Sequence, residues 1–176
     1  MSILIVDDAG IMRMILRDIL MRFGHFKKED IFEAVDGEDA IRKYRKHEPE
    51  VVLCDIAMPD MDGIEVVKKL KEFDPNVKII MCTASSDQSD VRECVSAGAK
   101  DYIIKPPKPE RVMQAIEAVM GQKLGEGIVN LGANLNVTEN VKRSTNEGSA
   151  VTRQEFDALK TEVERLSAII ESLNAV

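Results

Sequence analysis

An α/β fold, doubly wound around a parallel sheet, follows from three features of the first 120 residues. Short β-branched runs alternate with longer stretches that repeat apolar residues at helical spacing. The runs are apolar throughout instead of at every second residue, which suits strands covered on both faces. Glycine and proline fall between the segments, and a strict alternation of strand and helix implies right-handed crossovers that place helices on both sides of the sheet.

The elements follow in order. ILIV (residues 3–6) is the first strand, and after it Ile11, Ile15, Leu16, Ile19, Leu20 and Phe23 recur at helical spacing up to Gly24, a residue suited to a helix C-terminus. IFEA (31–34) is the second strand, with a helix over 38–47 stopped by Pro49. VVLC (51–54) is the third, with a helix over 64–73 stopped by Pro75. KIIMC (78–82) and DYII (101–104) complete five strands, with helices over 88–97 and 109–120.

Composition narrows the function. A chain of 176 residues suits one good core and an appendage. The net charge of -7, without any cluster of Lys and Arg, argues against binding a nucleic-acid backbone. No apolar run is long enough to span a bilayer, and MSILIVDDAG lacks the basic flank of a secretory signal, so a cytoplasmic location is expected. Cys54, Cys82 and Cys94 have no metal-knuckle spacing and read as small buried hydrophobes. His25 and His47 are isolated and read as surface residues.

The strand ends carry the chemistry. Strand one runs into Asp7 and Asp8, strand three into Asp55, strand four into Thr83, and strand five into Lys105 and Pro106. Ligands of open α/β sheets gather at the carboxyl ends of the strands, so these residues should converge. Clustered carboxylates repel unless a cation neutralises them, and oxygen donors without Cys or His favour a hard ion, Mg2+. Lys105 suits an anion beside that metal, such as a phosphoryl group, to which Thr83 could donate. A carboxylate can itself be the nucleophile in phosphoryl transfer.

Carried by LIVDDA, CDIAMPDMDG, MCTAS, SAGAKDYIIKP and the lengths between them, residues 1–121 resemble the receiver domains of two-component response regulators, particularly the stand-alone chemotaxis type. The resemblance implies a five-stranded sheet in order 2-1-3-4-5 flanked by five helices. It implies Asp55 as phosphoacceptor, a histidine kinase as donor, and Mg2+ held by Asp8, Asp55 and the backbone carbonyl of Ala57, with Asp7 acting through a water. Lys105 would pair with the phosphoryl group, Thr83 would be drawn toward it, and Tyr102 would move inward to fill the space Thr83 leaves. The Lys105–Pro106 bond is expected to be cis. The changed face around the fourth helix, fifth strand and fifth helix would alter affinity for an output protein, the flagellar motor switch or another. Such a chain is a signalling phosphoacceptor with slow self-catalysed phosphorylation and dephosphorylation, not an enzyme with an external substrate.

Three positions depart from the family's usual pattern. Ala57 and Ser85 border the path of the water that hydrolyses the acyl phosphate, and an alanine side chain cannot orient a water, so the phosphorylated state should be longer lived than in relatives with an amide there. Pro107 follows Lys105–Pro106, where a bulky apolar residue is frequent.

The remainder of the chain differs in character. Residues 122–150 are rich in Gly, Asn and Ser and read as a linker, although Val129, Leu131, Ala133, Leu135 and Val137 alternate as a strand would. Residues 151–175 open with a capping box, Thr152 and Glu155, and continue with Phe156, Leu159, Val163, Leu166, Ile170 and Leu173 at spacings 3-4-3-4-3. β-Branched residues at a with leucine at d favour a parallel dimer, with docking of the same stripe on a protein surface as the alternative.

Two other functions compete. A haloacid dehalogenase-type hydrolase also reacts through a strand-end aspartate but needs a second acid two residues on, where this chain has Ala57. A structural hub that no longer reacts would have no physical reason to keep Asp7, Asp8, Asp55, Thr83 and Lys105 together. DNA binding is disfavoured by the absence of a basic reading helix.

Overall fold

In a computed structural model, residues 1–84 and 88–121 are described, together with Asp157 and Thr161. The strands are β1 (Ile3–Val6), β2 (Ile31–Ala34), β3 (Val51–Asp55), β4 (Ile79–Thr83) and β5 (Asp101–Ile104). The helices are α1 (Gly10–Phe23), α2 (Gly37–His47), α3 (Gly63–Phe73), α4 (Gln88–Ala97) and α5 (Pro109–Met120), with a short 3-10 turn at Lys28–Asp30. All strands are parallel, in the order β2-β1-β3-β4-β5, as expected.

The two faces of the sheet bury alternate residues, which is why the strands read as unbroken apolar runs. Leu4, Val6, Val52, Cys54, Ile79 and Met81 face one side, where they meet buried residues of α2, α3 and α4. Ile3, Ile5, Val51, Leu53, Ile80 and Ile103 face the other, against α1 and α5. Each fully buried Leu or Ile contributes about 1.5 to 3 kcal/mol over its exposed state. The three cysteines are reduced and buried, and burial pushes the Cys82 and Cys94 thiols up to about 12, so they behave as hydrophobes as expected.

Three local details go beyond the sequence pattern. Of the six apolar residues at helical spacing in α1, Leu16, Ile19 and Leu20 are buried, whereas Ile11 is 66% exposed and Ile15 and Phe23 are also exposed. The apolar stripe is wider than the face that α1 presents to the sheet. Gly24 ends the helix, its N–H bonding the Leu20 carbonyl, but with φ -95 it is not left-handed. His25 takes that conformation instead, at φ 53, and Gly24 is needed because a Cβ there would lie 2.5 Å from the Phe26 ring. His47 likewise is half-buried and stacks on Phe32, with ring centroids 4.0 Å apart.

Caps fix where the helices start. Asp36 accepts from the Asp39 N–H at 2.7 Å to open α2, and Asp62 accepts from the Glu65 N–H at 2.8 Å to open α3. Pro109 occupies the first turn of α5, and Gly121 closes that helix at φ 66. The 122–150 linker and the seam residues Phe156, Leu159, Val163, Leu166, Ile170 and Leu173 lie outside the described residues. Asp157 and Thr161 are helical, and the Thr161 hydroxyl donates to the Asp157 carbonyl at 3.0 Å.

The turn from β3 into α3 depends on Gly63. A Cβ at Gly63 would stand 2.0 Å from the carbonyl oxygen of Asp55, backbone that cannot yield without moving the strand end. Gly63→Ala is expected to lower the unfolding free energy by at least about 2 kcal/mol, read from the urea midpoint; an unchanged midpoint would refute the close approach.

Candidate functional site

Register brings the strand ends together. Val6 pairs with Cys54, so Asp7 lies one step beyond β1 beside Asp55, and Asp55 pairs in turn with Cys82, one step before Thr83. Thr83 pairs with Ile104, and its carbonyl accepts the Lys105 N–H at 2.7 Å. The Lys105–Pro106 bond is cis, as expected.

Asp7, Asp8 and Asp55 each present a carboxylate oxygen within 4.8 Å of the others. Asp7 and Asp55 are 0% and 4% exposed, whereas Asp8 faces solvent. The Lys105 ammonium lies 2.8 Å from Asp7 Oδ2 and 2.8 Å from Asp55 Oδ2. The Ala9 N–H donates to Asp7 Oδ1 at 2.9 Å, and the Ala57 N–H reaches Asp55 Oδ1 at 3.4 Å. Three ionised carboxylates against one ammonium leave a formal charge of -2 (3 negative, 1 positive), which one divalent cation would neutralise. The donors are all oxygen, as a hard cation requires.

The other two carboxylates of CDIAMPDMDG serve the backbone: Asp62 caps α3, and Asp60 adopts a left-handed conformation at φ 67 within the turn. Ala57 is exposed beside Asp55, and Ser85 lies outside the described residues. Pro107 is buried at the approach to α5.

Burial raises the Asp55 carboxyl above its ordinary value and Asp7 adds repulsion, against the opposing pull of Lys105 and the Ala57 N–H. Burial disfavours the Lys105 cation, but hydrogen bonds and charge from Asp55 and Asp7 outweigh it and hold Lys105 above its ordinary value. A carboxyl raised on folding adds stability while protonated and loses that contribution as pH rises through its folded value. Ionised Asp55 therefore works against the fold even with Lys105 beside it.

Tyr102 is 4% exposed and packs in the cluster that contains Met81, Val91, Cys94 and Val95. Its ring lies inside, the position expected of it once Thr83 is drawn toward a phosphoryl group. Beside it, a groove of about 700 Å³ runs along β5 and α5, lined by Tyr102, Ile104, Lys105, Pro106, Lys108 and Arg111.

Two contacts were not anticipated. Arg111 clamps buried Asp101 through Nη2–Oδ1 at 2.6 Å and Nη1–Oδ2 at 3.2 Å, tying α5 to β5. Arg13 and Glu33 bridge α1 and β2 beside the acidic cluster. An aspartate opening an apolar strand, and an arginine at the fifth position after Asp8, were the available signals; neither names its partner.

Lys105→Met would leave Asp7 and Asp55 without their shared counter-charge, and it is expected to cost about 2 kcal/mol in chelator. Excess Mg2+ should restore more of the urea midpoint in this variant than it adds to the unmodified chain. Equal Mg2+ responses would contradict the charge balance.

Comparison with known proteins agrees with this geometry. The family model for the response regulator receiver domain matches residues 3–117. The chemotaxis protein CheY of Thermotoga maritima is 46% identical over 117 residues, covering 66% of this chain and 95% of that protein. The CheY of Bacillus subtilis is 47% identical over 118 residues, covering 67% and 96%. Among solved structures, the CheX-CheY-BeF3-Mg complex from Borrelia burgdorferi superposes with a TM-score of 0.60 at 35% identity, covering 68% of this chain and 88% of the matched one.

Proposed function

Because the chain belongs to the response regulator receiver family, as a CheY-like member of two-component signalling, we propose that it is a switch thrown by a phosphoryl group on Asp55. The observation that carries this reading is the buried Asp55 carboxylate, set between Lys105 and two further carboxylates at the open end of the sheet. The Thermotoga and Bacillus relatives are named as chemotaxis proteins, which supports a role in chemotaxis or motility.

In this reading Asp8, Asp55 and the Ala57 carbonyl would hold Mg2+, with Asp7 acting through a water. The bound ion supplies positive charge against the phosphoryl oxygens, and the Borrelia relative's BeF3 and Mg support the assignment. An Asp55 oxygen attacks the phosphorus of a kinase phosphohistidine; the O–P bond forms, the P–N bond breaks, and the imidazole keeps the electron pair. Lys105 moves its ammonium from the Asp55 carboxylate to the phosphoryl oxygens, and the Thr83 hydroxyl donates to the same group.

The output is a change in partner binding along the groove beside Tyr102, which is lined by Ile104 and Pro106 and edged by exposed Lys108. The heptad seam from Phe156 to Leu173 gives the chain its own means of self-association, as a parallel dimer. The protein acts as phosphoacceptor, without an external substrate to turn over.

Incubation with acetyl phosphate and Mg2+ should add one phosphoryl group by mass spectrometry, and Asp55→Asn should abolish the label. Persistent labelling of that variant would overturn the assignment, and an unlabelled parent chain would favour the structural hub. Ala57→Asn, which restores a side chain able to orient a water beside the acyl phosphate, is expected to shorten the lifetime of the label after the donor is removed. An equal or longer lifetime would show that Ala57 does not limit hydrolysis.

A further inference from the structure

Arg13 does not enter the phosphoryl chemistry above, yet it touches the backbone of both aspartates at the end of β1. Its Nη1 donates to the carbonyl of Asp7 at 2.7 Å and to that of Asp8 at 3.2 Å. Its Nε donates to Glu33 Oε2 at 3.2 Å on β2. Glu33 is braced in turn, accepting Arg17 Nη1 at Oε1 (2.7 Å) and the Lys43 ammonium at its backbone carbonyl. The Arg13 side chain is only 15% exposed, so the planar group is fixed from two sides.

Two consecutive carbonyls bound to one rigid guanidinium set the peptide planes from which the Asp7 and Asp8 side chains leave the chain. Asp7 is held again through its carboxylate by the Ala9 N–H and Lys105. Exposed Asp8 is tied, among the described residues, through the Arg13 contact to its carbonyl.

We infer that Arg13, anchored by Glu33, is a positioning residue for the divalent-cation site, raising its affinity by fixing the Asp7–Asp8 backbone. The inference rests on the metal reading given under Proposed function. Its two possible physical effects have opposite signs. As a bare positive charge Arg13 would repel a divalent cation, so removing it would tighten binding. As a clamp it pre-organises the ligands, so removing it weakens binding.

The test is Mn2+ binding to the full chain, followed by electron paramagnetic resonance as loss of the free-ion signal. Arg13→Met is expected to raise the Mn2+ Kd about tenfold, as loss of an outer-shell partner does elsewhere. Arg13→Lys, which keeps a donor within reach of the carbonyls, should recover part of the loss. Arg17→Met removes an equal charge and one brace of Glu33 but leaves both Arg13 contacts to Asp7 and Asp8, and should weaken Mn2+ by a smaller factor than Arg13→Met. Tighter binding by Arg13→Met, or an equal loss in Arg17→Met, would overturn the inference. Glu33→Gln leaves the guanidinium in place but loosens its anchor and should weaken Mn2+ by a smaller factor. If Arg13→Met does not fold, as judged by circular dichroism, unchanged affinity in Glu33→Gln overturns the inference instead. Failure of the unmodified chain to bind Mn2+ would remove the metal reading itself, and the inference with it.

Discussion

Lys105 bridges two buried carboxylates, 2.8 Å from an oxygen of each, and the rest of the site depends on that bridge. Parallel strands in register deliver Asp7 and Asp55 side by side at the end of the sheet, where like charges repel in a poorly solvated place. One ammonium offsets part of the repulsion and leaves a deficit of positive charge. The proposed Mg2+ would make up that deficit, and in the same reading a phosphoryl group on Asp55 would draw Lys105 away without leaving the carboxylates bare.

That arrangement makes demands on the framework. β5 must present Lys105 opposite β1 across two intervening strands, so the sheet must be rigid across its width. Helices on both faces supply the rigidity, each covering its own set of alternate strand residues. The Arg111–Asp101 clamp fixes α5 to β5 just before Lys105, and Arg13 with Glu33 fixes α1 to β2 just behind Asp7 and Asp8. Both arginine clamps lie within a few residues of a functional side chain, where a small backbone shift would misplace it.

In the proposed switch Tyr102 and Thr83 would connect the site to the surface. Tyr102 is buried beside β4, the ring position expected to follow phosphorylation. Arg111, with its guanidinium 5.9 Å from the Tyr102 ring centroid while it clamps Asp101, links the ring to α5 and to the groove.

Much of this was legible in the sequence. Continuous apolar runs, helical periodicity and glycine or proline stops placed five strands and five helices within a residue or so of where they lie, because local pattern and tertiary burial agree along residues 1–121. The strand-end residues Asp7, Asp8, Asp55, Thr83 and Lys105 were identifiable because strand order makes their convergence obligatory. What only the tertiary structure decided were matters of pairing and space. The sequence could not show which half of the α1 stripe faces the sheet, that Gly24 answers a steric demand from Phe26, or that His47 stacks on Phe32. Nor could it say that Tyr102 is already inside, or that Arg13 and Arg111 choose Glu33 and Asp101. Periodicity reports one residue's burial along its own element. Contacts between elements depend on how two surfaces meet, and no single segment carries that information.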